Sequence, residues 1–302
     1  MMHAPAARCA LTTVTYQIYD LSLSGGRQAR EGDKRVSRTV HAEANVFRGM
    51  LQSGEFAAGM FSFIPSEALV DIAAHAGFDY LIFDTEHASY DVAMIERLVR
   101  ATEAAGIASV VRISHPDPYL IARVLNTGAD ALLFARVSSQ REAEDIVRLT
   151  RLAPEGERGA CPGSRAGHFY LMPRDEYTRR SNDVAIAVMI ETKEGLDDIE
   201  GILGVDGIDG VGVGPVDLSY SLGVSGRDAP EVVEAISRVS RLAREAGVGV
   251  MASAKSLDEL ATYLAREEGP RVFWYATEAY QIGHCFQELM RKSHELVAEH
   301  AP

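Results

Sequence analysis

Eight short apolar runs, spaced from Ala57 onward and mostly separated by amphipathic stretches, constrain this sequence more than any other feature. The predicted strands are 57–63, 80–84, 108–113, 131–137, 185–190, 210–214, 248–252 and 271–276. Between them, Ile95, Leu98 and Val99 follow i, i+3, i+4, and Val232, Ala235, Ile236, Val239 and Leu242 hold one helical face over three turns. Gly77, Gly106, Gly128 and Gly247 stand where such stretches stop and a left-handed cap is wanted. Apolar strands alternating with helices imply a parallel sheet buried on both faces. Eight such units in about 250 residues match the count and length of an α/β closed barrel, the (β/α)8 or TIM barrel.

Composition narrows the function classes. Of 302 residues, 43 are acidic and 30 basic, a net charge of −13. A field of that sign repels phosphate backbones, and no basic patch offsets it, so a nucleic-acid partner is not expected. No apolar run approaches the ~18–20 residues of a membrane span. Cys9, Cys161 and Cys285 are too few and too scattered for a disulfide framework. With no basic-then-apolar leader pattern, the expected setting is cytoplasmic. Residues 1–44, polar and Gly/Arg-rich in their second half, read as a loosely ordered extension or oligomer arm, and 45–302 as the barrel domain. The longest irregular stretch, 154–183, is expected to be functional.

Active sites of such barrels lie at the C-terminal strand ends. There the sequence places Asp84-Thr85-Glu86-His87, Arg112, Ala135-Arg136-Val137, Glu191 and Gly214-Pro215-Val216-Asp217. Glu191 and Asp217 end consecutive strands, and oxygen ligands without Cys or His suit a hard cation, Mg²⁺ or Mn²⁺. Equally, either could cap a helix or turn. Arg112 could hold a substrate carboxylate with its planar fork or close a rim salt bridge. His87 is a candidate general base or a hydrogen-bonded structural residue. Lys193 and Lys255 follow strands five and seven but read as solvated loop residues rather than Schiff-base formers.

Taken in order, Gly77-Phe78-Asp79-Tyr80 through His87, Val111-Arg112, Pro154 to Gly159, Ile190-Glu191-Thr192 and Gly207 through Ser219 resemble the HpcH/HpaI aldolases. These metal-dependent pyruvate aldolases are relatives of the citrate lyase β subunit. The resemblance implies a barrel whose C-terminal helix is exchanged between subunits of a homo-oligomer, a hexamer or trimer. It implies Glu191 and Asp217 as metal ligands for Mg²⁺ or Mn²⁺, with Co²⁺ also compatible. Catalytic roles fall to His87, Arg112, Glu86 and Asp84, and substrate contacts to Arg112, Gly214, Pro215, Arg136 and Arg165. The implied reaction forms or cleaves 4-hydroxy-2-oxo acids through a pyruvate enolate on the metal, with an aldehyde or acyl acceptor.

Three positions depart from the family pattern. Asn126 stands where an Asp supports the catalytic histidine, so either Asp84 or Asp130 takes that task, or a metal-bound hydroxide is the base, or the reaction does not begin with deprotonation. Met189 replaces a Gln, and Arg136 replaces a Met: pointing inward it would add a second positive charge to the mouth, and pointing outward it is a rim arginine. These departures keep three alternatives open: oxaloacetate decarboxylation, a Claisen-type or citrate-forming condensation, and a barrel without catalysis.

Overall fold

The computed structural model describes residues 45–266 and 269–300; the expected extension at 1–44 lies outside them. The described residues begin with helix α1 (Val46–Ser53), capped by the Asn45 side chain on Arg48 N and ended by left-handed Gly54. Then β1 (Ala57–Ser62), α2 (Glu67–Ala76), β2 (Tyr80–Asp84), α3 (Val92–Ala105), β3 (Ala108–Ile113), α4 (Pro118–Leu125), β4 (Ala131–Phe134) and α5 (Gln140–Thr150) alternate. A turn at Arg165–Tyr170 and α6 (Arg174–Asn182) precede β5 (Ala185–Ile190). Two short helices, α7 (Lys193–Asp197) and α8 (Ile199–Leu203), lead to β6 (Gly210–Val213) and α9 (Pro215–Leu222). The described residues end with α10 (Pro230–Glu245), β7 (Gly249–Ser253), α11 (Leu257–Leu264), β8 (Val272–Tyr275) and α12 (Glu278–Glu299).

The eight strands pair in parallel, each with its neighbours in sequence, and β8 closes on β1. This is the predicted barrel. Alternation along each strand divides the apolar residues in two. Phe61, Ile82, Val110, Leu133, Ala187, Met189 and Trp274 fill the lumen. Leu81, Phe83, Val111, Leu132, Phe134, Val188 and Ile190 face the helices. Phe47 and Leu51 of α1 join the lumen cluster and plug its N-terminal end.

That alternation also aims the polar residues. Counting by two from Ile82, Val110 and Met189 brings Asp84, Arg112 and Glu191 to the lumen side at the C-terminal mouth, and all three are buried. Register does the rest, setting Asp84 beside Arg112 and Ile190 beside Val213.

Strands β1, β6, β7 and β8 differ from the sequence reading by a single residue at one or both ends, and two elements differ by more. β4 stops at Phe134 rather than continuing to 137, because Arg136 adopts a left-handed backbone with φ 55°. The connection 151–184 leaves α5 and returns to β5 without reaching the mouth, and carries α6 of its own.

The last helix is unlike the others: among the residues of α12 only Glu278, at its root, is buried. Phe286, Leu289, Met290, Leu296 and Val297 stay exposed. Beside the root lies a cavity of about 520 Å³ whose apolar lining includes Leu69, Ile72, Phe78, Leu257, Tyr275 and Ile282. Among the described residues no helix is long and apolar enough to cross a membrane.

Candidate active site

Asp84, fully buried, is the anchor of the mouth. It accepts from Arg112 Nε at 2.9 Å and Nη2 at 2.5 Å, so its carboxylate fills one fork of the guanidinium. The same Oδ1 accepts the main-chain N–H of Glu86 at 2.8 Å and of His87 at 3.3 Å, which folds the loop after β2 back over the strand end. Below, the Arg112 Cζ lies 4.7 Å from the Phe61 ring centroid. Of the two readings of Arg112, the salt bridge is the one formed within the chain: Asp84 holds the Nε–Nη2 edge. The Nη1 side is what remains for a ligand.

Glu191 follows β5 and is 3% exposed. Its Oε2 accepts the main-chain N–H of Arg136 at 2.9 Å. Burial pushes its carboxyl from an ordinary 4.5 up to about 7; that hydrogen bond and Arg112 oppose the rise, and Asp217 and Glu86 add to it. Helix capping here falls to Thr192, whose hydroxyl accepts from Gly195 N, so Glu191 is not spent on a cap.

Asp217 stands exposed in the first turn of α9 rather than on the strand end itself. Gly214, the N-cap of that helix, is packed so closely that a Cβ there would sit 2.3 Å from Glu191 Oε1. Pro215 opens the helix at a position where its missing N–H costs nothing. Gly214 thus leaves the carboxylate its space.

Among the described residues no three His, Cys, Asp or Glu side chains converge as a ready cage for an ion. A cation would take Glu191 and Asp217 from the protein and fill its remaining positions with water and substrate oxygens. The donors fit a hard divalent cation: both are carboxylates, and the carboxyl of the buried one is pushed up first by burial and further by Asp217 and Glu86, a penalty on its charged form that a cation offsets.

His87 has a half-exposed ring whose Nε2 lies 3.9 Å from Glu86 Oε2, beyond hydrogen-bond reach. Asp84 supports its main chain and not its ring. Asp130 is excluded as a supporter, because it accepts from Ser109 N and Oγ at the N-terminal end of β3. Asn126 caps the C-terminus of α4, at the end of the barrel opposite His87. Within one chain its identity therefore does not bear on the histidine.

Arg165 is a further correction. Its Nη1 donates to Thr127 O and its Nη2 pairs with Glu103, at the C-terminal ends of α4 and α3 and hence below the barrel. It is not a mouth residue of this chain, because the connection that carries it starts and ends at the N-terminal face. Met189 packs in the lumen. Lys193 pairs with Asp197, and Lys255 with Asp228, both at the surface.

Two features of the mouth were missed in sequence. One is the Arg136 N–H, invisible because nothing marks a left-handed arginine. The other is Glu278, whose Oε1 accepts from Phe63 N at 2.6 Å, Ile64 N at 2.5 Å and Ser62 Oγ at 3.3 Å. Ser62 in turn lies 3.1 Å from Tyr90 OH, in the loop that carries His87. Reading strand eight for its end residue would have found Glu278.

Set against known proteins, residues 57–268 match the family model for HpcH/HpaI aldolase/citrate lyase. The chain belongs to that family, and with it to the carbon–carbon lyases. The hydroxypyruvate/pyruvate aldolase of Roseovarius nubinhibens is 36% identical over 68% of this chain and 82% of its own length. An HpcH/HpaI aldolase/citrate lyase family protein from Burkholderia cenocepacia superimposes with a TM-score of 0.77 at 31% identity, covering 83% of this chain and 100% of the other. The citrate synthase SbnG follows at 0.74 and 26%, covering 82% and 97%.

Proposed function

We propose that this chain is a divalent-cation-dependent aldolase that makes or cleaves 4-hydroxy-2-oxo acids through the enolate of pyruvate. The observation that carries the proposal is Glu191: a buried carboxyl that burial pushes up to about 7, with Asp217 among its acidic neighbours, two strands along the barrel from an arginine pinned by Asp84. The pyruvate and hydroxypyruvate aldolase among its relatives supports the same reading.

Glu191 and Asp217 would hold Mg²⁺ or Mn²⁺, which supplies Lewis acidity to stabilise charge developing on the keto oxygen. Arg112, immobilised by Asp84, offers the Nη1 side to the 2-oxo acid carboxylate. Phe61 and Trp274, edge to face at 6.2 Å, floor the site and keep water from below. His87 stands at the rim, where its half-exposed ring can move a proton between solvent and the reacting carbon or oxygen. In synthesis a methyl C–H bond breaks, a carbon–carbon bond forms to the aldehyde carbon, and the proton ends on the aldehyde oxygen. No oxidant enters.

A second reading is favoured by one observation, the absence of a carboxylate bonded to the His87 ring among the described residues. If the enolate arises by loss of CO₂ from oxaloacetate, no proton need be abstracted. The citrate synthase neighbour is in keeping with an enolate that attacks a second carbonyl.

The α12 surface completes the proposal. Its exposed apolar residues and the apolar cavity beside its root match one another, and the occupant of that cavity is α12 from a second copy of this chain. The protein is then a homo-oligomer.

The test is pyruvate release from a 4-hydroxy-2-oxo acid, followed by a coupled reduction. EDTA should abolish it and Mg²⁺ or Mn²⁺ restore it, while Glu191→Gln and Asp217→Asn should lower it by at least 10³. Borohydride trapping of pyruvate on Lys193 or Lys255 would overturn the proposal. Oxaloacetate decarboxylation without methyl-proton exchange of pyruvate in D₂O selects the second reading.

A further inference from the structure

The mouth carries one cation without a counter-ion. Among the described residues, no acidic side chain pairs with the Arg136 guanidinium, although the chain is strongly acidic. Its main chain is committed. The N–H holds Glu191 at 2.9 Å, and the left-handed φ of 55° is a conformation that side chains of this kind adopt only at a cost of roughly 1–2 kcal/mol.

The left-handed turn also re-aims the side chain. Phe134 and Val137 both pack against the helices, and a plain extension of β4 would send Arg136 the same way. Instead it is exposed at the rim, with its Cα one bond from the nitrogen that touches Glu191.

Charge balance in the mouth gives the arginine something to do. Asp84, Glu86, Glu191 and Asp217 stand against Arg112, and even a bound divalent cation leaves one negative charge over. A ligand bearing two carboxylates enters that field at a disadvantage unless a further cation meets it. Arg136, exposed and with its main chain bonded to Glu191, stands near enough to the mouth to supply that charge. We infer that Arg136 is a specificity-determining residue that binds the distal carboxylate of 2-oxo diacids, so that the preferred acceptor carries a carboxylate of its own. This deepens the aldolase reading and rests on it for the position of the 2-oxo end.

Binding tests it independently of turnover. With Mg²⁺ present, dissociation constants for 2-oxoglutarate and 2-oxopentanoate, equal in chain length, are measured by calorimetry. The parent should bind the diacid about tenfold more tightly, as suits a charge-assisted bond at an exposed site. Arg136→Gln should erase that preference, and Arg136→Lys should keep most of it. A purely structural arginine would raise both constants together. The ratio of kcat/KM for glyoxylate over glycolaldehyde as acceptors with pyruvate should fall in parallel. Equal affinities in the parent, or a preference that survives Arg136→Gln, overturn the inference. A preference seen without any aldol turnover leaves the inference standing and overturns the aldolase reading.

Discussion

The main-chain N–H of Arg136 donates to Glu191 Oε2 across 2.9 Å, joining the ends of β4 and β5 at the candidate metal ligand. The bond exists because Arg136 turns left-handed, and glycine makes that turn without steric cost. Arg136→Gly should therefore be at least as stable as the parent in urea unfolding, and Arg136→Val should lose about 1–2 kcal/mol.

Gly214→Ala should retain the fold by circular dichroism and lose at least 10²-fold in pyruvate release. The added methyl would occupy the space of Glu191 Oε1, and a displacement of about 1 Å at such a site costs on that order.

Asp84→Asn should destabilise the chain by about 3–5 kcal/mol in denaturant midpoints, because Arg112 would remain buried without its counter-charge. Glu86→Gln, removing a contact at 3.4 Å, should cost much less.

Without divalent cation, stability should depend on the Glu191 carboxyl. Its folded value of about 7 exceeds the ordinary 4.5, so the contribution is fully present below about 4.5 and lost as pH rises through about 7. In EDTA the Tm should fall from pH 5 to pH 8, and Glu191→Gln should flatten that fall. Mg²⁺ or Mn²⁺ should raise the Tm more at pH 8 than at pH 5.5, since a cation competes with the proton.

Met290→Glu with Val297→Glu should reduce the mass in solution to that of one chain, measured by light scattering. Both side chains are exposed on α12 in the single chain and would be covered by a second copy.

Much of this was legible in the chain. The bounds of β2, β3 and β5 agree with the sequence reading because each is a mainly apolar run whose residues are all buried, with Asp84 and Arg112 the charged residues at the C-terminal ends of the first two. The inward aim of Asp84, Arg112 and Glu191 follows from the two-residue period. The family resemblance places Arg165 among the substrate contacts, whereas the segment 151–184 runs from a helix to the next strand and so lies at the N-terminal face. Sequence order could not separate an arginine that faces substrate from one already gripped by a neighbouring strand, because register decides that.

Glu278 has one foot in each of two structures. Its carboxylate ties down the chain leaving β1, and through Ser62 the hydroxyl of Tyr90, while its backbone begins the long helix that leaves the barrel behind. A tug on that helix is thereby felt within a few bonds of the His87 loop, so in the proposed oligomer, dilution that separates copies should loosen the histidine before it unfolds the barrel.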